Sequence, residues 1–339
     1  MSRISINELL KRNSRSFYLT LRVLPRAISQ QISLAYLLAR TSDTIADTEI
    51  VSPGQRLEAL DRLRERILGI SDGGLNFAEL TQQQGSPAER ELLERVEETL
   101  NSLRRLSAKD LKRVREVIET IISGQELDLQ RFTGASPENI IALRDEEELD
   151  DYTFRVAGCV GKFWTELCVA HVFNAAEKRK FATSFDFEEL GIRFGKGLQL
   201  VNILRDLPAD LLKGRCYIPA DKLAEARLAP ADLLSPANEP AFRPLYNHYL
   251  DHAESHLAAG WEYTNLISRR HISLRLACAW PILIGLETIQ KLRDEPALDP
   301  ECRVKVSREE VRSIILRSIL RYPFKKSWRG LARFSIERR

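Results

Sequence analysis

The chain has 339 residues, 44% of them hydrophobic and 29% charged, with a formal net charge of +3. Such values belong to a globular protein with one large or two ordinary domains, and they exclude a disordered or fibrous chain. Five cysteines (Cys159, Cys168, Cys216, Cys278, Cys302) are odd in number, widely spaced and free of any Cys-x-x-Cys pair, which points to reduced thiols in a cytoplasmic protein.

The chain begins MSRISINELLKRNSRS, without the apolar stretch of a signal peptide. No run of about 18 apolar residues is apparent for a membrane span. A soluble or peripheral protein is therefore expected. Apolar residues recur at three- and four-residue spacing, as at Leu57, Leu60, Leu63 and Ile67, and again at Val114, Val117, Ile118, Ile121 and Ile122. Breakers at Ser52-Pro53-Gly54, Ser71-Asp72-Gly73-Gly74, Gly85-Ser86-Pro87, Gly134-Ala135-Ser136-Pro137, Ala229-Pro230 and Ser235-Pro236 separate helices of ordinary length, and none makes a long linker. Strand-like alternation and glycine-rich nucleotide loops are not found, so the expectation is an all-α chain forming a single domain over 1–339.

Within the first predicted helices, Tyr36-Leu-Leu-Ala-Arg40-Thr-Ser-Asp43-Thr-Ile-Ala-Asp47 places two aspartates four residues apart, on one helix face. Such a like-charged pair costs about 0.2–0.5 kcal/mol on an isolated helix. It is either tolerated by solvent or retained for a cation between the carboxylates.

Further on, Tyr152-Thr-Phe-Arg-Val-Ala-Gly158-Cys-Val-Gly161 leaves a thin helix surface at Ala157, Gly158 and Gly161. Each glycine costs about 1 kcal/mol relative to alanine in a helix, so the pair needs a reason. Close helix packing and a passage for a hydrocarbon chain both supply one.

Gln199-Leu-Val-Asn202-Ile-Leu-Arg205-Asp206-Leu-Pro-Ala-Asp210 repeats the acidic spacing, with Asn202 one turn earlier on the same face. Oxygen donors of this kind suit Mg²⁺, which takes one or two carboxylates and fills its octahedron with water and phosphate oxygens. Two such faces could hold a diphosphate through bridging metals, with Arg40, Arg205 and Arg215 as neighbouring phosphate contacts or as salt-bridge partners.

His248, His252 and His256 share a predicted helix face, but no cysteine or carboxylate motif accompanies them, so a polar face is read there rather than zinc. Trp164, Trp261, Trp280 and Trp328 are read as core or surface anchors. From about residue 321 the chain turns basic: Arg321, Lys325, Lys326, Arg329, Arg333, Arg338 and Arg339 stand against Glu337 alone. With Tyr322, Phe324, Trp328, Leu331 and Phe334 among them, this end suits either an anionic membrane surface or a solvated terminal helix.

Taken in order, Ser14-Arg15-Ser16-Phe17, Asp43 to Asp47, Tyr152 to Gly161, Asn202 to Asp210 and Gly214-Arg215-Cys216-Tyr217-Ile218-Pro219 resemble the squalene/phytoene synthase family over some two thirds of the chain. The resemblance implies an all-α isoprenoid-synthase bundle with both aspartate pairs facing a central cavity. It implies two farnesyl or geranylgeranyl diphosphates as substrates and no nucleic-acid partner. Asp43, Asp47, Asn202, Asp206 and Asp210 would hold Mg²⁺. Arg15, Ser16, Arg40, Arg205 and Arg215 would contact diphosphate, while Phe17, Tyr36, Tyr152, Gln199 and Tyr217 would line the reaction centre. Within the family the motifs around Ser14 and Asp43 are more like those of bacterial squalene synthases, with NADPH implied as reductant. Arg155, by contrast, is a residue associated with phytoene synthases. A non-reductive relative making presqualene diphosphate, dehydrosqualene or phytoene, and a catalytically silent helical scaffold, are the competing readings.

Overall fold

Three- and four-residue apolar spacing becomes helix throughout the computed structural model, which describes residues 6–13, 17–48, 50–77, 80–81, 86–182 and 185–334. Contacts divide the chain into two compact units, Met1–Thr133 with Phe163–Lys178, and Gly134–Lys162 with Arg179–Arg339.

The first unit contains α1 (Ile6–Asn13), α2 (Phe17–Arg22), α3 (Arg26–Ala46), α4 (Pro53–Leu68), α5 (Pro87–Glu94), α6 (Val96–Leu103) and α7 (Ala108–Arg131). Its core lies where α3, α4 and α7 pack together, with Leu37, Leu38, Leu60, Leu63, Val114 and Ile118 fully buried. The breaker at Ser52-Pro53-Gly54 starts α4. Ser52 Oγ accepts from the Gln55 amide, Gln55 Oε1 accepts from the Ser52 amide, and Pro53 occupies the first turn, where a missing N–H costs nothing. Gly69 ends the helix at φ +76°, a left-handed conformation suited to glycine, and Arg115 Nε of α7 donates to the Ile67 carbonyl at 2.8 Å. Asp110 knots this unit together: it accepts from His171 Nε2 at 2.8 Å, Arg113 at 3.0 Å and Gln31 at 3.2 Å. Burial alone would push its carboxyl up, but the bonds from His171 and Gln31 hold it below the usual range.

The second unit opens with β1 (Ile141–Ala142) and α8 (Glu146–Thr153), followed by a π-helical turn at Phe154–Gly158. After α9 (Cys159–His171) and α10 (Ala175–Ala182), whose residues 163–178 belong to the first unit, the second unit continues with α11 (Phe185–Leu211), β2 (Arg215–Cys216), α12 (Ala220–Glu225), α13 (Glu239–Leu266), α14 (Ile272–Asp294), α15 (Arg308–Arg321) and α16 (Lys325–Arg329). The chain passes between the units within α9 and α10.

The fold is all-α, and among the described residues the strands are β1 and β2, which pair in parallel with Ile141 opposite Arg215. Two-residue strands carry no alternation for a sequence to display. Helices α11 and α13 approach closely: a Cβ on Gly197 would lie 2.8 Å from His256 Cβ, and one on Gly260 would lie 2.8 Å from the Phe194 ring. Helix α14 corrects one expectation, because by length and composition it is apolar enough to cross a membrane, with a mean hydropathy of 1.5. However, 67% of that stretch is buried inside the protein, as befits a core helix packed on α13.

Candidate active site

Helix α3 is buried on most of its circumference. Tyr36, Arg40, Asp43 and Asp47 fall along the one face that stays partly open, since residues at i, i+4, i+7 and i+11 superpose on a helix. Asp47 is the residue at which the helix ends, its N–H donating to the Asp43 carbonyl. Arg40 forms a salt bridge with Asp43 and, through its second terminal nitrogen, donates to Glu89 Oε1 of α5 at 2.6 Å. Tyr36 Oη donates to the Asn13 carbonyl at 3.0 Å, tying α3 to α1.

The Asp43 side chain keeps 44% of its surface accessible, although protein crowds around it. Burial and the charge of Asp47 push its carboxyl up to about 6, against the pull of Arg40, while Glu89 adds to the rise. A carboxylate disfavoured in this way, yet reachable from solvent, is a group that a divalent cation would stabilise. Glu89 was not singled out in the sequence. Ser86 and Glu89 carry the Ser-x-x-Glu spacing of a helix start, but nothing in it says that the carboxylate meets Arg40 across 49 residues.

In the second unit, α11 presents Gln199, Asn202, Asp206 and Asp210 on a partly open face while Leu200, Val201, Leu204, Leu207 and Leu211 are buried. Arg205 closes a two-pronged pair with Asp206, Nε to Oδ1 at 2.8 Å and the terminal nitrogen to Oδ2 at 2.6 Å. Pro208 sits between Asp206 and Asp210 inside the helix and removes one backbone donor from that stretch.

Tyr152 of α8 and Tyr217 just beyond β2 are both buried and stack at 4.8 Å between centroids, so two expected reaction-centre residues 65 positions apart do come together. Arg215 is half-buried on β2. Arg15 and Ser16 lie outside the described residues, and Phe17 is described only as the first residue of α2.

The small residues near Gly158 serve close packing. A Cβ on Gly161 would stand 1.9 Å from the Gly191 carbonyl oxygen, and one on Gly195 would stand 2.1 Å from that of Ala157. Arg155, within the π turn, donates through Nε to both carboxylate oxygens of Asp151 at 2.8–2.9 Å.

Among the described residues no three carboxylate, histidine or cysteine side chains converge into a ready-made metal cage. The donor sets instead suit an ion that brings other ligands with it, as Mg²⁺ does with water and phosphate oxygens. His252 and His256 lie ring to ring at 4.7 Å without a third metal-binding side chain, in keeping with a polar helix face.

Comparison with known proteins gives a consistent result. The family model described as squalene/phytoene synthase matches residues 10–310. A presqualene diphosphate synthase from Rhodopseudomonas palustris is 29% identical over 255 residues, 75% of this chain and 76% of its own length. A squalene synthase from Saccharomyces cerevisiae is 26% identical over 282 residues, covering 83% of this chain and 60% of its own length. Phytoene synthases match at 26–29% identity, and of the fungal bifunctional lycopene cyclase/phytoene synthases the chain spans 39–41%. Among solved structures, the complex of TcSQS with the ligand E5700 superposes with a TM-score of 0.75 at 20% identity, over 92% of this chain and 84% of that one, a likeness of fold.

Proposed function

Because the chain belongs to the squalene/phytoene synthase family of prenyltransferase-type enzymes, we propose that it joins two farnesyl diphosphates head to head, through presqualene diphosphate, to squalene, using Mg²⁺ and NADPH. The observation that carries this reading is the recurrence of one arrangement on α3 and on α11: two aspartates four residues apart on a partly open face, with an arginine bound to one of them.

In the proposed reaction Mg²⁺ supplies positive charge against the diphosphate anion that leaves, and NADPH supplies the hydride that completes squalene. Asp43 and Asp47 on one helix, and Asp206 and Asp210 with Asn202 on the other, are the oxygen donors. Arg40 and Arg205 lie beside these carboxylates, where their guanidinium groups would contact phosphate oxygens of the substrate. The stacked Tyr152 and Tyr217 rings offer π faces that stabilise an allylic cation without supplying a strong nucleophile to quench it.

A second reading stops at presqualene diphosphate, and it is favoured by the relative of that name in Rhodopseudomonas palustris. The deciding experiment incubates the purified protein with farnesyl diphosphate and Mg²⁺, with and without NADPH, and identifies products by mass spectrometry. Squalene only in the presence of NADPH is the expected result. Presqualene diphosphate in both tubes supports the second reading, and a protein that is inert to farnesyl diphosphate but makes phytoene from geranylgeranyl diphosphate overturns both.

A further inference from the structure

Between residues 321 and 334 the basic stretch is packed onto the protein rather than merely solvated. Trp328 of α16 is 2% exposed, stacks on Trp261 of α13 at 5.3 Å and donates from Nε1 to Asn265 Oδ1 at 2.9 Å. Trp280 Nε1 of α14 donates to Ser318 Oγ of α15 at 2.9 Å, and Arg269 donates to the carbonyls of Tyr322 and Pro323 at 2.7 and 2.8 Å. Anchored in this way, α15 turns Ile314 and Ser318 inward. On its opposite side Leu316, Ile319 and Leu320 are 58%, 48% and 62% exposed, and Phe324, just past the helix, is 67% exposed. Single exposed apolar residues are ordinary, but four together at i, i+3, i+4 and i+8 form a ridge.

The chemistry around the ridge has one sign. From Val311 to Phe334 there is no acidic residue and there are seven cations: Arg312, Arg317, Arg321, Lys325, Lys326, Arg329 and Arg333. None of the seven is held in an ion pair among the described residues; Arg317 donates only to the Ser313 carbonyl. Beside the ridge a cavity of about 290 Å³ is lined by Leu283 and Leu286, by the guanidinium-bearing Arg317, Arg321 and Arg333, and by a single acid, Glu287.

We propose that α15 and α16 form a preorganised docking surface for an anionic lipid bilayer, in which Leu316, Ile319, Leu320 and Phe324 enter the acyl boundary and the arginine-lined cavity seats a lipid phosphate. Apolar insertion flanked by cations is the combination that binds anionic interfaces, since neither contribution alone holds a protein firmly to a membrane. A second copy of the chain is the poorer occupant, because a two-fold contact would set the seven cations of one surface against the same seven of the other. The surface uses none of the residues of the aspartate faces, so this inference stands apart from the reaction proposed above.

The test sediments the full chain with vesicles of phosphatidylcholine alone and of phosphatidylcholine mixed with phosphatidylglycerol. Pelleting with the anionic vesicles only is expected, and it should weaken as salt is raised. The double variants L316S/L320S, K325Q/K326Q and R317Q/R321Q should each bind about tenfold more weakly or worse, with unchanged circular dichroism and melting temperature. Equal pelleting with neutral vesicles, or full binding by all three variants, overturns the proposal. So does a dimer by light scattering that L316S/L320S makes monomeric while vesicle binding is untouched, which assigns the ridge to self-association. Stabilisation by inorganic phosphate without any vesicle binding also overturns it, leaving a site for free anions.

Discussion

Asp43 is held between opposing influences: burial, Asp47 and Glu89 raise its carboxyl toward about 6, and Arg40 restrains it. If it is a metal ligand, exchanging its charge for an amide removes what the cation needs. D43N and D206N are each expected to reduce turnover by about 10²–10³-fold, as loss of a charge-stabilising contact does, measured as product formed from farnesyl diphosphate at saturating Mg²⁺. Near-normal turnover in either variant would overturn the assignment of both faces to metal. His256 carries a pH prediction of a different kind. It is 8% exposed, and burial together with His252, Arg193 and Lys196 depresses its ring to about 3, against the contrary pull of Asp150. Below about pH 6.5 the unfolded chain therefore binds a proton that the native ring refuses, so the stabilisation present above 6.5 is lost as pH falls toward 3. Melting temperatures between pH 7.5 and 4.5 should drop less steeply for H256N than for the parent, and equal slopes would assign the acid loss to other groups. At this scale the spacing made the two aspartate pairs and their adjacent arginines legible. Partners set by tertiary packing were not, as Glu89 for Arg40 and Asp110 for His171 demonstrate.

The contact of the π turn at Phe154–Gly158 and the first turn of α9 with α11 depends on glycine at positions where a methyl group has nowhere to go. A Cβ at Gly161 or Gly195 would sit about 2 Å from a backbone carbonyl oxygen, and backbone cannot rotate aside as a side chain can. G161A and G195A are each expected to cost about 1–3 kcal/mol, the usual range for overpacking, read as a lowered denaturation midpoint. Gly54 is the control: it lies in the first turn of α4 with nothing within 4 Å of a built Cβ, so G54A should be neutral or slightly stabilising. The sequence disclosed the thin helix surface but left close packing and a hydrocarbon passage both open, because the partner at Gly191 and Ala157 is a backbone, which no pattern of side chains reports. Helix α14 was illegible for a related reason: Arg275 and Glu287 interrupt its apolar run, although its average hydropathy is that of a spanning segment.

Across the whole molecule, five ordered motifs carried the family, and the all-α class followed from helical spacing interrupted at proline and glycine. Chain length and product did not follow, since both depend on the walls that surround the reacting carbons rather than on the diphosphate-binding motifs. Squalene, presqualene diphosphate and phytoene synthases accordingly all match the chain at 26–29% identity. The basic end was read as either membrane-facing or solvated, and Trp280 and Trp328 as core or surface anchors; their partners Ser318 and Asn265 were not legible, because spacing along the chain does not report which distant side chain an indole N–H meets.

The first unit is interrupted in sequence: its residues up to Thr133 are completed by Phe163–Lys178, where Phe163, Leu167, Cys168 and Phe173 are buried and His171 meets Asp110. During synthesis, the stretch ending at Thr133 therefore emerges from the ribosome without the segment that finishes its core. At about 5–20 residues per second, it waits a few seconds with apolar surface uncovered and Asp110 lacking its imidazole partner. A chain stalled or cut after Thr133 is accordingly expected to be a substrate for chaperones. An isolated 1–133 fragment should bind a hydrophobic dye and melt without a cooperative transition, and adding 163–178 as a peptide should restore part of that cooperativity.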